Sequence, residues 1–291
     1  MLNSLSLNNI STDYLPQTFS GNIQVAVLRL DKIHPQVSGN KWFKLRFYLD
    51  RAMREGYAGI ATFGGAWSNH LLATAAACAA SGLQSIGIVR GEAPASYSPT
   101  LQQVTALGME LRFIPRDRYR KKNPGEDIPR GFLLVPEGGA GPEGIAGAAT
   151  IAELIEDDFT HICCAAGTGT MTKGLVQAMA GSEILAVSVL KNYRTLDDEL
   201  TALYPDSDRW KVCHDYHFGG YAKHTDELLR HMNTFFQDTG IPSDFVYTGK
   251  LFYAVNDLIK RGYFPAGSRI LMIHSGGLQG NSSLAKGSLI F

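Results

Sequence analysis

The sequence predicts an α/β fold, a mainly parallel sheet covered by helices. Two observations carry that prediction. Short β-branched runs alternate with helix-patterned stretches over most of the 291 residues, as expected of parallel strands joined by helical crossovers. Glycine-bearing segments recur where a run ends and a helical pattern begins: FGGAWSNH (63–70), PEGGAGPEG (136–144), AAGTGTMTKG (165–174) and IHSGG (273–277). In such sheets ligands bind at these junctions. A chain of this length buries a large core, as two domains or one large α/β unit.

In chain order, SGNKWFK (38–44) opens an apolar helix, and AGIATFG (58–64) reads as a strand. SNHLLATAAACAASG (68–82) is a helix with Ser68 as N-cap and Gly82 at its end. Strand 85–91, helix 99–109 and strand 110–114 follow. The charged stretch 115–129 carries both signs and two prolines, so it is expected to be a solvated connection. GFLLVPEGG (131–139) is a strand running into a glycine turn, before a helix over 142–158. Strand 160–167, helix 170–181 and strand 183–191 come next, then helices near 222–239 and over 249–261 and a last strand, 268–277. Repeats and low-complexity segments are absent.

Composition narrows the function. Hydrophobic residues are 45% and charged residues 19%, with zero net charge and a pI near 7.1. Nothing draws the surface as a whole toward nucleic acid or acidic lipid. The start, MLNSLSLNNISTDYLP, lacks a basic region and a long apolar run, so a signal peptide is not expected. Nor does any stretch approach the ~20 apolar residues of a membrane span. Cys78, Cys163, Cys164 and Cys213 have neither disulfide-framework nor paired CxxC spacing and read as buried thiols of a reducing cytoplasm. His214, His217, His224 and His231 lack the tight pairing of a zinc site, so no metal is expected.

Three segments could carry chemistry. In AAGTGTMTKG, Gly167 and Gly169 let the backbone wrap an anion, Thr168 and Thr170 offer hydroxyls, and a helix N-terminus follows. The spacing is neither a dinucleotide fingerprint nor a P-loop, which leaves a monophosphate site or a tight turn. In FGGAWSNH, Ser68, Asn69 and His70 either cap a helix or open one whose N–H groups grip a carboxylate. Lys41 begins a helix without capping it. It is either a solvated bystander or an amine whose pKa is lowered by the helix end, by Lys44 about 5–6 Å away, and by burial among Trp42, Phe43 and Leu45. An amine of the second kind is a candidate Schiff-base nucleophile. Lysine, phosphate cup and carboxylate cradle together suit pyridoxal phosphate.

GNKWFKL, GGAWSNH, EGG (137–139), the glycine–threonine loop, DYHFGGY (215–221) and VYTGK (246–250) occur in the order found in D-cysteine desulfhydrases and 1-aminocyclopropane-1-carboxylate (ACC) deaminases. The chain resembles these fold type II, tryptophan synthase β-like pyridoxal-phosphate enzymes from about residue 20 to 280. The resemblance implies Lys41 as the lysine bonded to the cofactor, Lys44 near its phosphate and Asn69 at its 3′-oxygen. It implies Gly167, Thr168, Gly169 and Thr170 as the phosphate cup, with Ser68 and His70 beside the substrate carboxylate and Cα. Tyr216 and Tyr247 are implied at the substrate, and Thr248 facing the pyridine nitrogen. The chain departs from the family pattern at Trp42, Phe43, Arg46, Trp67 and Met171, and is shorter than typical members.

ACC deaminases resemble VYEGK where this chain has VYTGK. A neutral Thr248 implies a weaker electron sink, which favours β-elimination over cyclopropane opening. The expectation is a cytoplasmic lyase converting D-cysteine, or a β-substituted relative, to pyruvate, ammonia and sulfide. The alternatives are ACC deamination, or a non-catalytic protein binding the cofactor or a phosphometabolite. Two domains are expected, residues 50–150 forming the smaller, inserted between 1–49 and 151–291. By family analogy the protein is a homodimer whose only other partner is a small amino acid.

Overall fold

The computed structural model describes residues 6–16, 19–122 and 128–291. In chain order its elements are β1 (Thr12–Tyr14), β2 (Gln24–Arg29), α1 (Asn40–Arg54), β3 (Gly59–Gly64), α2 (Asn69–Ser81), β4 (Gln84–Arg90), α3 (Pro99–Ala106), β5 (Glu110–Ile114), α4 (Arg116–Arg120), β6 (Phe132–Val135) and α5 (Pro142–Ala149). There follow β7 (His161–Ala166), α6 (Thr170–Ala178), β8 (Glu183–Ser188), α7 (Thr195–Leu203), β9 (Trp210–Cys213), α8 (Asp226–Thr239), α9 (Thr248–Lys260) and β10 (Arg269–His274). Short 3-10 turns join several of them.

The strands form two sheets, ordered β1-β2-β10-β7-β8-β9 and β5-β4-β3-β6. Every pairing is parallel except β1 with β2. β10 is central to the larger sheet, Leu271 lying opposite Ala26 on one side and Ile162 on the other. Both faces are covered, which explains the unbroken apolar runs. Val25, Val27, Ile270 and Met272 pack against Phe235 of α8 and Phe252 of α9. Ala26, Leu28, Leu271 and Ile273 face Phe43 of α1 and Leu175 of α6.

Helix α1 packs on both sheets, and this positions the site. Phe43 belongs to the core over the larger sheet, whereas Leu45 and Leu49 pack with Ile60 and Val135 of the smaller one. Each fully buried side chain of this kind contributes about 1.5–3 kcal/mol. Lys44, between Phe43 and Leu45, and Lys41, one turn earlier, therefore sit where the two sheets meet. Close packing of α5 on α1 needs Gly147, whose Cβ would fall 1.9 Å from the Phe43 carbonyl oxygen.

The expected strands and helices recur with edges moved by a few residues, and one helix is much shorter. α5 stops at Ala149 instead of 158, because the Thr150 hydroxyl donates to the Gly147 carbonyl (2.7 Å) and the chain tightens into a 3-10 turn. β1, β9 and α7 went unread; the strands are three and four residues long and α7 has no capping side chain. β2 also went unread. Within the charged connection Arg116–Arg120 is helical, while 123–127 lie outside the described residues. No helix among the described residues is long and apolar enough to cross a membrane.

Candidate active site

The carboxyl ends of β3, β7 and β10 converge on a cavity of about 780 Å³. α1 reaches it by a tight approach. Gly39 has φ +61°, and a Cβ there would lie 1.9 Å from the Ser275 carbonyl oxygen just past β10. Only glycine allows that approach. The Asn40 N–H then donates to the same oxygen at 3.2 Å, and Lys41 projects into the cavity.

Lys41 Nζ donates to Asn40 Oδ1 at 2.9 Å and stands 5.9 Å from the Tyr247 ring centroid. The Asn40 amide is itself anchored, its Nδ2 lying 3.4 Å from Met171 Sδ. Desolvation lowers the Lys41 pKa to about 8, against an opposing pull from the Asp244 charge. Lys44 is only 5% exposed and makes no hydrogen bond or ion pair among the described residues. Burial first, then the Lys41 charge, holds its amine well below the usual lysine range. A buried cation without a partner is costly, so this one is suited to an anion in the cavity.

α2 supplies the second wall. The Ser68 hydroxyl caps it, accepting the Leu71 N–H at 3.2 Å. Asn69 Oδ1 is buried without a partner. The His70 ring is fixed by Thr62, whose hydroxyl donates to the Val135 carbonyl (2.8 Å) and so must accept from His70 Nε2 (2.9 Å). That leaves Nδ1 as a buried acceptor with no donor. Burial, then the charges of Lys41 and Lys44, lowers the His70 pKa to about 3, so the ring is neutral. A bare acceptor does not attract a carboxylate, so the N–H groups opening α2, rather than the His70 ring, are the groups suited to one.

The third wall is the turn from β7 into α6. Gly167, Thr168 and Gly169 line the cavity, and Gly169 sits in the left-handed region at φ +73°. Thr170 is buried behind the wall, its hydroxyl 3.0 Å from that of Thr168, while Met171 and Thr172 face inward. Gly167 is needed where Tyr247 closes in, since a Cβ would come 3.2 Å from its ring. Tyr247 lines the cavity, and burial first, then the neighbouring Tyr221, raises its phenol well above the ordinary value.

Two sequence-derived positions are corrected. Tyr216 does not reach the cavity: it is 8% exposed, packs in the core over the larger sheet and donates to Asp257 Oδ2 at 2.6 Å. Phe218, Gly219 and Gly220 all have positive φ and reverse the chain, so the second tyrosine of DYHFGGY, Tyr221, comes to the wall instead. Its ring meets Tyr247 edge-on at 6.1 Å. Thr248 is fully buried and is not on the wall. Its hydroxyl donates to Asp244 Oδ1 (2.7 Å) and accepts the Asp244 N–H (2.8 Å). Asp244 ties down the start of α9, also accepting the N–H groups of Val246, Tyr247 and Thr248. That local bonding turns Thr248 away.

Wall residues that the sequence reading passed over are Arg90, Glu137, Tyr221, Lys223 and Ser275. All but Arg90 and Lys223 lie within the quoted glycine segments, and Arg90 ends a strand just before Gly91. Glu137 is the one acid on the wall among the described residues. It accepts from the Tyr119 hydroxyl at 2.5 Å and from Lys122.

The profile of the family described as pyridoxal-phosphate dependent enzyme matches residues 13–276. A putative 1-aminocyclopropane-1-carboxylate deaminase of Pyrococcus horikoshii is 30% identical over 268 residues, covering 84% of this chain and 81% of its own. A D-cysteine desulfhydrase of Klebsiella pneumoniae is 27% identical, with 91% and 90% covered. The crystal structure of an ACC deaminase homologue superposes with a TM-score of 0.83 at 27% identity, covering 96% of this chain and 92% of that one. The chain belongs to the pyridoxal-phosphate dependent enzymes, in the ACC deaminase and D-cysteine desulfhydrase group.

Proposed function

We propose that this pyridoxal-phosphate dependent enzyme catalyses β-elimination from a small amino acid, D-cysteine or a β-substituted relative, giving pyruvate, ammonia and the leaving group. One observation carries the reading: Lys41 and the unpartnered Lys44 share a cavity with the Gly167–Gly169 turn and with an orphaned Asn69 oxygen. These groups fit the cofactor's parts. The Lys41 amine suits the aldehyde, Lys44 and the amides at the start of α6 suit the phosphate, and the side-chain N–H donors of Asn69 suit the ring oxygen.

When bound, the cofactor supplies an electron sink for the pair left on Cα as its proton departs. The chain's own groups do the rest. With a pKa of about 8, Lys41 is partly neutral near pH 7–8 and can take the Cα proton. Tyr247, its phenol raised, stays protonated and acts as a donor. The N–H groups opening α2 orient the carboxylate, and Trp67 and Tyr221 narrow the mouth against water. Because Thr248 is engaged by Asp244, it gives no support to the argument from a neutral ring nitrogen. What favours a neutral ring nitrogen is the wall itself, where Ser275 is neutral and the one acid among the described residues, Glu137, is already paired. In this reading the smaller unit, 50–150, brings the α2 wall to the lysines of α1.

ACC deamination remains the rival, supported by the name of the Pyrococcus relative. Purified protein given D-cysteine should release sulfide and pyruvate in equal amounts, and give no 2-oxobutyrate from ACC. ACC turnover with no sulfide release would reverse the assignment. Apoenzyme mixed with the cofactor should load Lys41, as read by borohydride trapping, at a rate that rises as pH increases through about 8 and the amine loses its proton.

A further inference from the structure

Resting on that reading, we propose that Arg90 and Lys223 form an outer subsite for a negatively charged β-substituent on the substrate. The chain has zero net charge, yet among the described residues the cavity wall carries Lys41, Lys44, Arg90 and Lys223 against one acid, Glu137. The cofactor's aldehyde and phosphate account for Lys41 and Lys44. A substrate's own ammonium and carboxylate cancel each other. Both oxygens of Glu137 are engaged, by Tyr119 and Lys122. Two positive charges are left over at the mouth, and a low-dielectric cleft concentrates their field.

Neither is held by an acid among the described residues. Among the described residues Arg90 forms no ion pair; its guanidinium lies 6.0 Å from the Tyr119 ring centroid. Nη2 sits 3.9 Å from where a Cβ on Gly65 would be. The guanidinium thus lies within van der Waals range of the loop that leads to Ser68. A guanidinium resting on a ring keeps its donor fork free, and that fork matches phosphate, sulfate or carboxylate oxygens. Lys223 lines the same cavity two residues beyond Tyr221 and has no carboxylate partner among the described residues. The volume agrees: about 780 Å³ lies within the range that holds drug-sized ligands.

The chemistry balances without an oxidant. The Cα–H bond breaks and its pair becomes the Cα=Cβ bond. The Cβ–O bond breaks and its pair leaves with phosphate or sulfate oxygen. Water then replaces the nitrogen, giving pyruvate and ammonia. Such leaving groups depart as stable anions and need no acid on the wall.

The test uses holoenzyme with O-phospho-D-serine and D-serine O-sulfate as anionic substrates and D-cysteine and β-chloro-D-alanine as neutral ones. Binding of the non-eliminable D-2-amino-3-phosphonopropionate is followed by calorimetry. The ratio of kcat/KM for anionic over neutral substrates should fall at least tenfold in Arg90→Gln, fall less in Lys223→Gln, and recover in part in Arg90→Lys. The phosphonate should weaken by a similar factor and lose affinity with added salt. Equal losses for both substrate classes would overturn the proposal, since Arg90 would then be reading the common carboxylate. So would a wild-type enzyme with no preference for the anionic class. Arg90-dependent phosphonate binding without turnover of any substrate would uphold the subsite and reject the elimination reading.

Discussion

The starts of α1 and α9 offer an instructive contrast. Each carries a lysine whose pKa burial lowers to about 8, Lys41 on α1 and Lys250 on α9. The Lys41 amine meets one side-chain oxygen and an open cavity. The Lys250 amine is fully buried and donates to the carbonyls of His217 and Gly220, at 2.9 and 2.8 Å. Lys250 thereby pins the turn that delivers Tyr221. A depressed pKa alone does not mark a reactive amine; what distinguishes the two is whether the donors are already satisfied.

Five substitutions would break or sharpen that contrast. Lys41→Ala should give the largest effect, a fall in kcat on the order of 10³ with no borohydride-trapped adduct and little change in stability. Lys250→Met should reverse the pattern. Leaving two buried carbonyls unpaired should lower unfolding stability by about 3 kcal/mol in urea titrations, while the adduct still forms on Lys41. If Lys250→Met kept full stability, the structural role given to that amine would be wrong. Thr248→Val removes a bond to Asp244 and should cost about 1–2 kcal/mol, without moving the cofactor's absorption; a spectral shift would return Thr248 to the ring. Tyr216→Phe should be mildest, about 1 kcal/mol of stability from the lost Asp257 bond and unchanged kcat/KM, whereas Tyr221→Phe should alter catalysis.

Much of this was legible in the residues. The alternation of runs located most strands, Ser68 and Gly82 marked the ends of α2, and the glycine segments gave the three walls. These are local signals, set by backbone freedom and capping, and they survive in any tertiary context. The lysine pair was visible too, because its register on α1 is helical.

Side-chain direction at turns was not legible. DYHFGGY offers two tyrosines, and only the positive φ values at 218–220, held by a lysine some 30 residues later, decide which one arrives. VYTGK places a threonine next to Tyr247, and only the Asp244 cap turns its hydroxyl inward. Arg90 and Lys223 come from separate segments of the chain and share a wall only when the cavity forms. The sequence by itself determined the fold class, the helix carrying the amine and the loop suited to an anion, because each depends on neighbours within a few positions. Tertiary structure alone decided which side chains line the cavity and which lie behind it, because those directions follow from specific hydrogen bonds, some local like Asp244 to Thr248 and some closed over 30 residues or more like Lys250 to His217 and Gly220.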